Sequence, residues 1–291
     1  MLKASAFVPG HVTGFFSIHD TSRKMRHRGS RGVGICLSKG VHTVVGVTGS
    51  IRQSIDVFIN DKMTDAPLTK YAVQRLLGNE PLKVIIYNTL DLPQSQGFGM
   101  SGAGALSSCM AVAEALEREF IENEIICAAH EAEVKFETGL GDVVSQSAGG
   151  VVLRRMEGCP PFGVVEQIDI DENEVVLCVI GEELPTKNII SDPGYKRKIN
   201  EYGSGLLRDL QRNPTLEEVM RLSYKFSKET GLLSKELDDA ISAASEYGLA
   251  SMSMLGNSIF AVGDTEGLKK VFEEYGEVYI CNIDKIGMRL E

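Results

Sequence analysis

Apolar positions in the first third of the chain fall in short β-branched runs, VHTVVGV and then SIDVFI, broken by Gly and Asn, and predict strands. The period lengthens at TKYAVQRLLGN, a helix stopped by Gly78 and Pro81, and shortens again at the strand LKVIIYNTL. The loop DLPQSQGFGMSGAGA then runs into a helical pattern over 102–119, with Leu106, Met110, Ala113 and Leu116 on one face and Ser101 at or near the N-cap. A second helix is expected over 122–136, followed by the turn TGLGD and the strand VVLRRM. After about residue 157 the pattern restarts with strands VVEQIDI and EVVLCVIG and helices near 194–211, 215–230 and 234–247. A strand pair turning at Gly256 and Asn257, the helix TEGLKKVFEEYG and the strand EVYICNI complete it. The GCPPFG stretch marks a boundary, so the expected fold is α+β in two packed halves, 1–157 and 158–291.

Composition narrows the function classes. The 291 residues are 43% hydrophobic and 24% charged, as in ordinary globular proteins, and the net charge of −10 argues against general affinity for nucleic acid or an anionic membrane. No apolar run approaches the roughly 20 residues of a spanning helix, and MLKASAFVPGHVTG lacks the apolar core of a signal peptide. Six scattered cysteines without a C-x-x-C pair read as reduced, buried thiols of a cytoplasmic protein, and the five histidines show no metal spacing.

The glycine loop carries the first chemistry. A helix start exposes unpaired N–H groups and the positive end of the dipole, and both favour an anion. The stretch Gly97, Gly99, Met100, Ser101, Gly102, Ala103 and Gly104 would let that backbone approach a phosphate. The spacing is neither the Walker pattern nor the Rossmann fingerprint, and glycines alone are also consistent with a flexible connection.

Two acids follow. On a helix over 122–136, Ile125, Ala129, Ala132 and Phe136 form the apolar stripe, with His130, Glu133 and Glu137 on its flank. Glu131 precedes Lys135 by four residues, the favourable order for an exposed ion pair, so Glu131 reads as solvated. Glu133 is then either a half-buried flank carboxylate or the acid that holds a metal. Asp142, in GLGDVVSQSAGG, is either a helix cap or a group that receives or orients a hydroxyl proton, and both roles are compatible. SRKMRHRGSRG reads mainly as an exposed basic loop, with Ser30 and Arg31, nearest the bend, placed by an anionic substrate. Strand alternation puts Arg154 and Arg155 on opposite faces, so at most one of them points inward.

The string Pro93-x-x-x-Gly97-x-Gly99-x-Ser101-x-Ala103 resembles the central motif of the GHMP kinases, P-x-x-x-G-L-G-S-S-A-A, with Phe98, Met100 and Gly102 as departures. AFVPGHVTGFF is similar to the family's first motif, a strand running into a Pro-Gly turn. ASMSMLGNSIFAVGD stands where the family has a G-x-G-G loop, with only Gly256 retained. In order along the chain, AFVPGHVTGFF, GSRGVGICLSKGV, HEAEVKFETGLGD and SMSMLGNSIFAVGD are similar to the family's archaeal branch that phosphorylates pantoate.

The resemblance implies a domain like the second domain of ribosomal protein S5, a ferredoxin-like C-terminal domain, and a homodimer. It implies ATP- and Mg²⁺-dependent phosphorylation of the 4-hydroxyl of (R)-pantoate, giving 4-phosphopantoate for archaeal coenzyme A synthesis. It assigns Ser101 and Glu133 to the metal, Asp142 to the acceptor hydroxyl, and Ser30, Arg31, His130, Arg154 and Thr186 to the substrate. The rival readings are a GHMP kinase acting on mevalonate, homoserine or a sugar, a degenerate nucleotide-binding regulator, and a non-enzymatic S5-like RNA binder.

Overall fold

Two long strands organise the chain. In the computed structural model, which describes residues 1–118, 120–172, 174–182 and 192–291, β1 (Leu2–His19) and β2 (Gly29–Gly49) pair antiparallel from Leu2↔Val47 to His19↔Gly29. The Pro9-Gly10 pair expected to turn the chain lies inside β1, at one of two register shifts, Pro9/Gly10 and Thr13/Phe15. Bulges tolerate proline and re-aim the side chains beside them.

The far side of β2 serves two neighbours. Its C-terminal half pairs β5 (Leu82–Leu90) and its start pairs β6 (Val151–Met156). β3 (Ser54–Ile59) runs parallel to β5, and β4 (Lys62–Thr64) folds back on β3. β7 (Val164–Ile168) pairs β6, and β12 (Arg289–Leu290) returns to β1, completing an eight-stranded sheet. Two strands from beyond residue 157 thus belong to the first sheet. The second sheet is antiparallel, in the order β11 (Glu277–Asn282), β8 (Glu174–Val179), β10 (Ser258–Gly263), β9 (Gly248–Met252).

Helices α1 (Pro67–Leu77), α2 (Met100–Ala115), α3 (Glu122–Phe136) and α4 (Asp142–Ala148) cover the first sheet. α2 is buried on nearly all sides, because its Ala, Gly and Ser side chains let it lie between β1–β2 and the pair α1 and α3. Its buried Ser107 is satisfied against the sheet: Ser107 Oγ lies 2.6 Å from Thr43 Oγ1 of β2, and Thr43 Oγ1–H donates to Asn88 Oδ1 of β5 at 2.8 Å.

α5 (Pro193–Arg212), α6 (Leu216–Thr230), α7 (Lys235–Ala243) and α8 (Thr265–Phe272) belong to the second half. Phe226 of α6 packs against Phe15 and Phe16 of β1, so one apolar core runs through both halves. The loop between β9 and β10 docks beside the glycine loop: Met254 N–H donates to Thr13 O at 3.0 Å, and Ser258 Oγ–H to Gln96 O at 2.6 Å. In that loop, just before the expected turn at Gly256 and Asn257, Leu255 takes the left-handed conformation (φ 67°).

Two expectations fail outright. Cys127 and Cys159 form a disulfide, while Cys36, Cys109, Cys178 and Cys281 are free and buried. Glu131 is not solvated: it is 4% exposed and held by Arg26 and Arg75, while Lys135 lies over the Tyr71 ring. The local pairing rule assumes a solvent-facing helix surface, and α1 covers this one.

Candidate active site

The bend into α2 is built on glycines with positive φ, Gly97 at 78° and Gly99 at 67°. L-residues resist that conformation, and Gly99 itself takes the N-cap. Ser101, expected at or near the cap, sits in the first turn and is exposed, because the left-handed glycine lets helical geometry begin at Met100. Ala103 is the first residue whose N–H bonds back, to Gly99 O at 3.0 Å. The N–H groups of Met100, Ser101 and Gly102 have no acceptor within the helix.

The acids arrive from α3 and α4. Glu133 is 1% exposed, and its Oε1 accepts the Asp142 N–H at 3.2 Å. The turn between them needs Gly139: a Cβ there would stand 2.5 Å from Glu133 Oε1 and 2.7 Å from Asp142 Oδ2. Asp142 does not cap α4 with its side chain. Its Oδ1 lies 2.7 Å from His11 Nδ1 and accepts Thr13 Oγ1–H at 3.4 Å.

Arg154 is 1% exposed in β6, and its Nη1–H donates to Ser145 Oγ at 2.8 Å. Its Nε and Glu133 Oε2 are buried with no hydrogen-bond partner. Arg155, on the other face, pairs with Glu166 at 2.8 Å. Glu133, Asp142, Arg154, Thr13, Ser30 and the start of α2 all face one cavity of about 260 Å³.

Their charges are tuned apart. Burial would raise the Asp142 pKa, but the His11 hydrogen bond and the nearby Arg154 charge outweigh it and hold the carboxyl below its ordinary range. Burial also leads for Glu133, where the Asp142 charge adds to it against a pull from His130, and the net direction is upward. One carboxylate is thus held ionised and the other is short of positive charge, an arrangement typical of sites that do chemistry.

The remaining predicted residues are distributed as follows. Gly97, Gly99, Met100, Ser101 and Gly102 line the cavity, whereas Ala103 is buried in α2 and Gly104 faces a second cavity, also of about 260 Å³. Arg31 alternates away from Ser30 along β2 and bonds Glu157 at 2.6 Å, so it does not reach the cleft. His130 sits behind Glu133, with Nε2 at 2.9 Å from Arg28 O and Nδ1 at 3.7 Å from Glu133 Oε2. Thr186 lies outside the described residues. The basic segment is not a free patch: Arg26 holds Glu131, Arg28 donates to Ser22 O, and Arg31 holds Glu157.

Sequence reasoning missed His11, Thr13 and Gln146, whose Nε2–H donates to Gly99 O at 2.9 Å and ties α4 to the glycine loop. The signal for the first two was present: a His and a Thr two residues apart share one face of an otherwise apolar strand.

No described helix is long and apolar enough to cross a membrane. Residues 67–150 match the GHMP kinases N terminal domain and residues 206–281 the GHMP kinases C terminal domain. A pantoate kinase of Methanocaldococcus jannaschii is 35% identical over 280 residues, covering 95% of this chain and 99% of the relative. One from Thermococcus kodakarensis is 33% identical, covering 91% and 89% respectively. A solved structure described as a phosphotransferase related to the CoA biosynthesis pathway superposes with a TM-score of 0.90 at 29% identity, over 100% of this chain and 99% of that one. With two family domains in order and full-length relatives, this chain belongs to the GHMP kinases.

Proposed function

We propose that this kinase transfers the γ-phosphoryl group of ATP to the 4-hydroxyl of pantoate, making 4-phosphopantoate for coenzyme A synthesis. The observation that carries the reading is the meeting of the α2 start, Glu133 and Asp142 in one cleft. The free N–H groups of Met100, Ser101 and Gly102 suit the phosphates. The second cavity shares Met100, Ser101 and Thr138 with the first and is largely apolar, with Thr69 and Asn88 inside. It suits the base of the nucleotide and leaves the acid-lined cleft to the acceptor.

A hard divalent cation fits the donor set. Glu133 offers a buried oxygen with no partner, and Ser101 a hydroxyl at the mouth of the phosphate cradle. One carboxylate plus phosphate oxygens is how Mg²⁺ is commonly held. When bound, Mg²⁺ would neutralise charge on the phosphates. Asp142, kept ionised and partly exposed at 23%, orients the acceptor hydroxyl. A carboxylate with a lowered pKa is a weak base, so it takes the proton late, as a loose phosphoryl-transfer transition state allows. Ser30 and the unpartnered Arg154 Nε–H supply donors for the substrate carboxylate.

A homodimer, read out by light scattering, and a cytoplasmic location belong to the same proposal. The test is ADP release with ATP and Mg²⁺ over pantoate, mevalonate and homoserine. Pantoate alone should support turnover, and turnover with another acceptor but not pantoate overturns the assignment.

A further inference from the structure

His11 is fully buried in β1, between the two register shifts of that strand. It touches three parts of the site. Its main-chain N–H donates to Phe98 O at 2.9 Å, tying β1 to the glycine loop. Ring Nδ1 lies 2.7 Å from Asp142 Oδ1, and Nε2 lies 3.5 Å from Arg154 Nη1.

A guanidinium only donates and an ionised carboxylate only accepts, so one proton arrangement satisfies both neighbours. The proton sits on Nδ1 and the Nε2 lone pair faces Arg154. A second proton would set two buried cations against each other, and burial itself lowers the His11 pKa. Space for the ring comes from Gly34 of β2, where a Cβ would stand 2.2 Å from Nε2. Without the ring, the Asp142 carboxylate is free to swing onto the Arg154 guanidinium and form an ion pair that removes it from the acceptor.

We propose that His11, as the neutral Nδ1–H tautomer, is a positioning residue that fixes Asp142 in register with the phosphate-binding loop. The inference rests on the reading of Asp142 as the group facing the acceptor hydroxyl.

The test uses the full chain with His11→Ala, His11→Asn and His11→Gln, and Asp142→Asn as control. The Asn amide nitrogen overlays Nδ1, whereas that of Gln overlays Nε2. His11→Ala should lower kcat about 100-fold, the scale of a 1 Å misplacement, with KM for ATP changed by less than about threefold. His11→Asn should regain about tenfold or more of that loss and His11→Gln should not, a split that a packing role does not produce. Ring ¹⁵N–¹H correlation spectra of the wild type should show the proton on Nδ1. An Nε2–H tautomer or an imidazolium at pH 7 overturns the proposal, as do equal losses in the Ala and Asn variants. If Asp142→Asn is inactive while His11→Ala turns over normally, this inference alone falls. An active Asp142→Asn removes the reading beneath it.

Discussion

Helix α3 carries two buried carboxylates two residues apart, with opposite surroundings. Glu131 is 4% exposed and Glu133 is 1% exposed. Arg26 Nε–H reaches Glu131 Oε1 at 2.6 Å and Arg75 Nε–H reaches Oε2 at 2.6 Å. Glu133 receives one backbone N–H on one oxygen and nothing on the other. Burial would raise both pKa values. The two arginines reverse the direction for Glu131, and nothing reverses it for Glu133. Residue type and depth are therefore matched, and the supply of positive charge separates them. The satisfied carboxylate braces the structure, while the one left short is the acid proposed to meet the cation.

The largest effect expected from breaking this contrast is catalytic. Glu133→Gln and Asp142→Asn should each lower kcat by about 1000-fold, within the range of positioned acid–base groups. The thermal midpoint of Glu133→Gln should hold or rise, since a buried carboxylate whose second oxygen has no hydrogen bond, and whose burial outweighs the pull of nearby positive charge, opposes folding. A coupled ADP assay with calorimetry on the same samples separates the two readouts. Turnover of Glu133→Gln within about tenfold of wild type would remove the metal role.

The other side of α3 predicts losses of stability. Cys127 stands one turn before Glu131, and its disulfide to Cys159 spans a separation of 32 residues. Loop-closure entropy gives such a link about 3–4 kcal/mol. Reduction should lower the denaturation midpoint and leave turnover at 25 °C unchanged within about twofold. Glu131→Gln comes next, at about 2 kcal/mol, below the usual figure for a broken buried pair because Arg26 and Arg75 are 43% and 46% exposed. The sign with pH follows from the lowered pKa: pairing stabilises above the ordinary value of 4.5 and is lost as pH falls through the lowered folded value. The gap in thermal midpoint between wild type and Glu131→Gln should therefore close as the solution is acidified below 4.5. A constant gap would mean that the arginines do not set this carboxylate's titration.

What was legible in the sequence follows the range of the interactions. The bounds of α3, the glycine bend and the alternation that separates Arg154 from Arg155 are set by near neighbours and were readable. The partners of Glu131 lie 105 and 56 residues away, and those of Asp142 lie 131 and 129 residues away, so no local pattern encodes them. The disulfide was invisible for the same reason. Pro9 misled differently: it signals a turn in isolation, but a bulge in an 18-residue strand accommodates it. Ser101 stands two positions past the cap, which the sequence could place only at or near it, because a capping serine is a commoner choice than a left-handed glycine.

The smallest effect tests that distinction directly. Local spacing pairs Glu131 with Lys135, whereas the fold sets Lys135 Nζ 3.8 Å from the Tyr71 ring centroid. Lys135→Ala should cost about 0.5 kcal/mol, the usual worth of a partly exposed cation–π contact. Two double-mutant cycles by urea denaturation locate the partner. With Tyr71→Leu the coupling should equal most of that loss and persist in salt. With Glu131→Gln it should vanish, because both oxygens of that carboxylate are already occupied by arginine. A salt-sensitive coupling to Glu131 of about 0.3–0.5 kcal/mol, the size of an exposed helical pair, would restore the local rule and place Glu131 at the surface.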